Sequence, residues 1–431
     1  MKEVLKDLFF EGIESVKPEN VVKESVKVGK NYIKIGKERF GKKPLYIFGA
    51  GKASYRMAKA ITEILGDYIK GGVVISTEGE KLPGIDVYIG THPYPSKENI
   101  IYSEKLINSL KALKGDDTFI FLLSGGASAL LEKPIYPITL KDLVFTTDIL
   151  LKSGLNIYEI NAFRKHLSEV KGGRLARITK ARGYILVISD VMGNDLGSIG
   201  SGPFYKDEYT YTDIYNLAID RGIWDKLPES VKMVIERGLK GEIPETPKEV
   251  SHNVKHIVIA DNRKALMGIH KKAKKLGLNS KIITSTLRGE VSCVAEVLFS
   301  ICQEIYNFEK PFKPPVLLIL GGETVVNVKG KGKGGRNQEL VLHLLRMIKN
   351  NLTIYILACG TDGIDGITDF AGAVVGPEDW EKAMEMGVDI EGILRNNDSY
   401  TFHKALGTGI KTGYTGTNVA DVLLIYIRGR L

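Results

Sequence analysis

Residues 118–123, TFIFLL, form a near-continuous apolar run that stops at Ser124-Gly125-Gly126. A strand without polar alternation needs cover on both faces, the condition met in sheets flanked by crossover helices. The arrangement recurs along the chain. Residues 45–48 enter Gly49-Ala50-Gly51, 184–189 end at Asp190, 316–320 enter Gly321-Gly322-Glu323, and 354–358 enter Gly360. Further strand candidates lie at 73–76, 87–90, 256–260, 281–284 and 422–427, with amphipathic stretches at 52–65, 262–276, 291–306 and 337–348. This alternation predicts an α/β protein. It also sets glycine-rich loops at the carboxyl ends of strands, where open α/β sheets bind their ligands.

At 431 residues the chain exceeds the size at which one hydrophobic core keeps growing, so two domains are expected. The segment 241–247, GEIPETP, is the best linker, giving domains of 1–243 and 244–431. No apolar run is long enough to cross a bilayer, and the N-terminus lacks the basic tip and apolar plug of a signal peptide. Three cysteines without paired spacing suit a reducing compartment, so a cytoplasmic protein is expected. The net charge of +9 is spread along the chain, with no basic arm or aromatic-interleaved stripe. Neither nucleic acid nor a membrane is therefore the expected partner. Gln occurs only at 303 and 338, which fits the Lys/Glu-rich surface of a heat-adapted protein.

Several loops have the makings of an anion site. Gly49-Ala50-Gly51-Lys52 opens a helix, where backbone N–H groups, the helix dipole and a lysine would meet a phosphate; a tight turn with a solvated lysine is the plainer alternative. It is not a P-loop, because Tyr46 and Ala53 break that pattern. Ser124-Gly125-Gly126-Ala127-Ser128 could wrap phosphates with N–H groups. Asp190 suits a Mg²⁺ bridging phosphates, or an Asx turn. Gly334-Gly335-Arg336-Asn337 places a guanidinium at a helix start, either against phosphoryl oxygens or on a mobile loop tip. In GTDGIDGITD (360–369), Asp362 and Asp365 are candidate ligands for Mg²⁺ or for substrate hydroxyls.

Together these strings resemble the type II glycerate kinase family, whose C-terminal part is the MOFRL domain. The matching strings are GAGKAS (49–54), THPYP (91–95), SGGASALL (124–131), NAFRKHLSEVKGGRLA (161–176), SDVMGND…SGP (189–203), GGETVV (321–326), GGRNQE (334–339), GTDGIDG (360–366) and TGTNVAD (415–421). The resemblance implies a Rossmann-like N-terminal domain with a predominantly parallel sheet, a smaller α/β C-terminal domain with the MOFRL-like region at about 315–431, and an active site in the cleft between. It implies transfer of phosphate from ATP, with Mg²⁺, to D-glycerate, typically at the C2 hydroxyl. Lys52 and Arg336 are the active-site cations it implies; from the loop chemistry itself, Asp190 is the expected acceptor of the hydroxyl proton and, with Asp365, an expected metal ligand. Gly49, Gly51, Ser124, Gly125, Gly126, Ser128, Gly334 and Gly335 are expected to hold the nucleotide. Arg164, Lys171, Asp362 and Asn418 are expected to meet the substrate, its carboxylate requiring a cation of its own. Small molecules are the expected partners, with a homodimer left open. Two departures stand out: Phe204 where threonine is usual after Gly-Pro, and Tyr414 where proline often precedes TGTN.

A second reading is an NAD(P)H-dependent hydroxypyruvate reductase. Against it, Ser54 stands where a dinucleotide fingerprint has its third glycine or alanine, and Ser76-Thr77 precede Glu78 where an acid would close the second strand. A non-catalytic phosphometabolite sensor would need an output module, and nothing resembling one is present.

Overall fold

In the computed structural model, which describes residues 1–349 and 352–429, the apolar runs become strands of two six-stranded sheets. The chain divides into two compact units, Val21–Ile259 and Met1–Asn20 with Ala260–Leu431.

The Val21–Ile259 unit begins with a small antiparallel sheet of β1 (Val26–Val28), β2 (Tyr32–Ile35) and β3 (Glu38–Gly41). These strands are too short and too polar to stand out in the sequence. Its main sheet contains β4 (Leu45–Ala50), β5 (Ile69–Ser76), β6 (Asp86–Ile89), β7 (Thr118–Leu123), β8 (Arg182–Ile188) and β9 (Val254–Ala260). The spatial order is β6-β5-β4-β7-β8-β9, and β6, β5, β4, β7 and β8 run parallel. In chain order this reads 3-2-1-4-5-6, the doubly wound arrangement, and winding reverses between β4 and β7. A crevice therefore opens outside the carboxyl ends of those two strands, where GAGK and SGGAS lie.

Every residue of β7 is buried, as its lack of alternation requires. Phe119 and Phe121 are fully buried, each worth about 2–3 kcal/mol of transfer free energy. Phe204 packs on both rings, with centroids 5.9 and 4.8 Å away. The departure from threonine at 204 is thus absorbed as core packing. Helices Leu140–Lys152, Ile157–His166, Tyr211–Asp220 and Glu229–Leu239 build a second apolar cluster in the same unit.

The 241–247 segment does not separate two bodies. It is a strap inside the Val21–Ile259 unit, with Thr246 1% exposed. Glu245 accepts hydrogen bonds from Tyr211 N–H at 2.9 Å and Thr246 N–H at 2.8 Å, and its Oε1 lies 2.8 Å from His166 Nε2. Thr246 Oγ1 donates to Asp207, which also receives Lys165 Nζ at 3.1 Å. The prolines and glycine that resemble a linker shape a turn whose polar groups are spent internally, so the division falls at 259/260 instead of 243/244.

The other unit contains β10 (Ser280–Leu287), β11 (Val316–Gly322), β12 (Ile354–Gly360), β13 (Gly372–Val375), β14 (Gly409–Ile410) and β15 (Asp421–Ile427), ordered β10-β11-β15-β12-β13-β14. Only β10 and β11 pair in parallel; the other pairings are antiparallel. The first helix, Lys2–Glu14, belongs here. Its stripe of Leu5, Leu8, Phe9 and Ile13 packs with Leu266 and Ile269, and Lys2 reaches Asp379 at 2.9 Å. Helical spacing announces an amphipathic face; it does not say which sheet the face will cover.

Burial works to raise the Glu245 pKa, but the bonds from His166, Tyr211 and Thr246 lower it from 4.5 to about 2. The stability this carboxylate supplies is complete above its ordinary value and is lost as pH falls toward 2. Glu245→Gln should cost about 1–3 kcal/mol at neutral pH. Urea unfolding from pH 7 to 3 should show a flatter acid limb for the variant than for the native chain.

Candidate active site

At the winding reversal, the turn after β4 is closed by the protein itself. Gly51 has φ +137°, and a Cβ there would lie 2.2 Å from Ser124 Oγ, so only glycine fits. Lys52 N–H donates to Gly125 O at 2.9 Å and Ala53 N–H to Ser124 Oγ at 3.1 Å. Gly51 N–H is taken by Ile75 O and Ser54 N–H by Gly51 O. Gly49 lies where a Cβ would come within 3.0 Å of Leu122. Gly49 and Gly51 therefore bring β4, the helix Ser54–Leu65 and the next loop together, instead of offering N–H groups to a phosphate. What this turn presents is the Lys52 side chain.

The loop after β7 is more open. Ser124 is 1% exposed and braces the first turn. The N–H groups of Gly125, Gly126 and Ser128 have no protein acceptor among the described hydrogen bonds. Gly126 has φ +83°, and a Cβ on it would lie 3.0 Å from His92 and 3.1 Å from Lys52 Cγ. His92, exposed along one edge, has its pKa lowered to about 4 by desolvation and then by the Lys52 charge. It stands beside the lysine as a neutral ring. Ser128 Oγ is 3.0 Å from Ser201 Oγ. Asp190, just beyond β8, packs on the same loop; a Cβ on Gly125 would fall 2.1 Å from its Oδ2.

Beside this loop is a cavity of about 340 Å³ lined by His92, Ser128, Glu132, Leu143, Thr147 and Arg164. Arg164, in the last turn of Ile157–His166, makes one side-chain hydrogen bond among the described residues, to Asn161 Oδ1 at 3.5 Å. Burial lowers its pKa, and the charge of Glu132 opposes that. Lys171 is different. It is 1% exposed, its Nζ bonded to Glu132 and to Leu131 O at 3.3 Å. Of the two expected substrate cations, Arg164 reaches the cavity and Lys171 lies beneath it.

The unit holding β10–β15 gathers its own set of residues. β15 is antiparallel to both neighbours, and Asp421 at its start is in register with Gly322 and Gly360. The loops after β11 and β12 therefore leave the sheet beside Asp421. Arg336, the first residue of the helix Arg336–Ile348, forks onto Asp421 with Nε at 2.6 Å and Nη2 at 3.0 Å. Nη1 meets Glu323 at 2.8 Å. Burial works to lower the Arg336 pKa, but Asp421 and Glu323 overcome it and raise it.

The N-terminus of that helix is already capped. Asp365 accepts N–H bonds from Asn337 and Gln338, at 3.1 and 2.9 Å, and a further bond from Gln338 Nε2 at 2.9 Å. Burial nevertheless pushes its pKa up to about 6. Gly335 lets this carboxylate approach, since a Cβ would lie 2.2 Å from it, and Gly334 similarly makes room for Ser399 Oγ. The run of lysines before Gly334 is not a mobile tip: Lys329, Gly330, Lys331 and Lys333 N–H groups are pinned by Asn396, Asn397 and Asp398. Asp362 Oδ1 accepts Ile364 N–H at 3.1 Å and Asn418 Oδ1 accepts Ala420 N–H at 3.0 Å; both side chains are half-buried. Among the described residues no group of three or more His, Cys, Asp or Glu side chains could hold a metal, and no helix is long and apolar enough to cross a membrane.

Sequence reasoning missed Glu132, Glu323 and Asp421, although each sits in or beside a recognised string: after SGGASALL, within GGETVV and at the end of TGTNVAD. The signal was available, since a carboxylate near a required cation needs explaining.

A closed glycine turn, a half-buried loop whose N–H groups stay open among the described residues, and a lysine beside a neutral imidazole meet at the winding reversal of an α/β enzyme. Residues 4–236 match the domain of unknown function DUF4147, and residues 316–421 match the MOFRL family. The glycerate 2-kinase of Pyrococcus horikoshii is 42% identical over all of this chain and 99% of that one. A solved structure of a Thermotoga maritima glycerate kinase is 37% identical with a TM-score of 0.88, covering 99% of each chain. A putative hydroxypyruvate reductase of Agrobacterium vitis is 37% identical over 88% of this chain and 86% of that protein. The chain belongs to the type II glycerate kinase family.

Gly125→Ala should leave the sheet intact and displace Asp190, lowering kcat about tenfold or more, as misplacement of a group by ~1 Å typically does. Circular dichroism and steady-state rates on one preparation would show both effects.

Proposed function

We propose that this protein is an ATP-dependent glycerate 2-kinase, transferring the γ-phosphoryl group of ATP to the C2 hydroxyl of D-glycerate. The observation that carries this reading is the juxtaposition of Lys52, the free N–H groups of Gly125, Gly126 and Ser128, and the unfilled Arg164 guanidinium beside one cavity. Phosphoryl transfer has a loose transition state, so positioning and charge stabilisation supply most of the catalysis. In this assignment the Ser124–Ser128 loop and Lys52 hold donor phosphates, and Arg164 holds the substrate carboxylate. Asp190 would be the residue to hold Mg²⁺, which supplies charge neutralisation at the phosphates when bound. Asp365 does not suit that role, because its oxygens are spent on the helix Arg336–Ile348.

Arg336 is assigned to the charge on the transferring phosphoryl group. Its fork to Asp421 is a two-bond, charge-assisted contact worth about 1.5–3 kcal/mol, whereas the exposed Glu323 contact is worth about 0–1 kcal/mol. A phosphate oxygen would therefore replace Glu323 on Nη1 while Asp421 keeps the plane oriented.

The reductase reading is disfavoured by the same turn. Its pyrophosphate would need the N–H groups that Gly125 O and Ser124 Oγ already occupy. Glu78, the acid it would need for a ribose, is paired with Arg56 at 2.7 Å.

Lys52→Ala and Arg336→Ala should each reduce kcat by about 10²-fold or more, as loss of one preorganised charge-stabilising donor does. Enzyme, ATP, Mg²⁺ and D-glycerate followed by enolase alone should yield phosphoenolpyruvate directly. Absence of that product, or oxidation of NADH with hydroxypyruvate, would overturn the assignment.

A further inference from the structure

Lys171 is the most deeply buried ammonium near the cavity, and the mechanism above gives it nothing to do. Its Nζ is spent on Glu132 and Leu131 O, so it cannot reach a ligand. Glu132 is equally committed. Its Oε1 accepts Ser168 Oγ at 2.6 Å and Lys133 N–H at 2.9 Å, and Oε2 accepts Lys171. Yet Glu132 also lines the cavity beside Arg164, and the three charges act on one another. Burial lowers the Lys171 pKa while Glu132 opposes it. Whichever partner carries the proton, the pair sums to zero. Arg164 is then left as an uncancelled cation with open donors.

We infer that Lys171 is a positioning residue: by cancelling the charge of Glu132, it keeps the Arg164 guanidinium free for the substrate carboxylate. The inference rests on the glycerate-kinase reading, with Arg164 as the carboxylate ligand. Remove Lys171, and Glu132 keeps its bonds from Ser168 and Lys133 while its Oε2 and its charge are left without a partner beside a guanidinium. Arginine and carboxylate pair as a fork, and a carboxylate fixed in the protein competes at every substrate concentration. The buried charge that loses its partner would be stabilised by capturing Arg164.

The test is a cycle of variants in the full-length enzyme. Lys171→Met should raise KM for glycerate about tenfold or more, with KM for ATP and kcat unchanged. Glu132→Gln/Lys171→Met, which restores neutrality without the ion pair, should return KM for glycerate to near the native value. A purely structural role would instead move both KM values and kcat together, and the double variant would be no better than the single. Either result overturns the inference, as does an unchanged glycerate KM in Lys171→Met. Should Lys171→Met fail to fold, the double variant decides alone: folded with a KM as high as that of Arg164→Ala, it overturns the inference. Arg164→Ala separates the premise from the conclusion. If its glycerate KM rises and that of Lys171→Met does not, only the conclusion falls; if its KM is unchanged, the premise falls as well.

Discussion

Two hydrogen bonds between neighbouring loops, from Lys52 N–H to Gly125 O and from Ala53 N–H to Ser124 Oγ, determine what the crevice can hold. In a doubly wound sheet, the first turn normally faces a ligand with its N–H groups and the helix dipole behind them. Here those donors are turned onto the loop of the fourth strand. The fold keeps its crevice and loses its dinucleotide turn. The neighbouring loop after β7 keeps its N–H groups at Gly125, Gly126 and Ser128 open among the described residues, and the first turn presents the Lys52 side chain. The glycines follow from this. Gly51 has to admit Ser124 Oγ, and Gly125 has to admit the Asp190 carboxylate.

The Arg336 helix settles a similar problem with the opposite choice. A helix N-terminus attracts an anion, and the chain supplies its own in Asp365. Because that carboxylate is deeply buried, its pKa is pushed up to about 6 in spite of its bonds, and it takes the N–H groups of Asn337 and Gln338 for itself. The first residue of the helix contributes its guanidinium, forked onto Asp421. Its orientation is set by Asp421, which the antiparallel course of β15 delivers to the ends of β11 and β12. The strand that closes the chain thus fixes an arginine that lies 85 positions earlier.

The central strands β4, β7 and β8 of the doubly wound unit were legible because burial on both faces removes polar alternation, and glycine loops mark where β4 and β7 stop. Order along the sheet followed less directly, since hydrophobicity says that a strand is buried and not beside which other strand. The 241–247 strap shows a second limit. Prolines and a glycine signal irregular backbone, but whether its polar groups face water or His166 and Asp207 depends on residues far away in sequence. Residues 1–20 show the same thing from the apolar side. The stripe Leu5-Leu8-Phe9-Ile13 is plain in the sequence, while its match with Leu266 and Ile269 is set by shape.

Among the charges, the sequence pointed to cations without showing what each is free to do. Arg164, Lys171 and Arg336 read alike as basic residues in family strings. Their acceptors separate them. Lys171 has one carboxylate and one carbonyl and forms a pair of zero net charge with Glu132; Arg336 has two carboxylates and is held in a plane; Arg164 has a marginal amide contact and open donors. An anion site is thus defined by the balance of charge around a cation more than by the cation itself. That balance is set by acids such as Glu132 and Asp421, which look like ordinary surface residues until the fold brings them in. A phosphate-binding protein is recognised through its glycines and lysines, but the discrimination between its anions is written in the carboxylates that decide which of those cations stay unpaired.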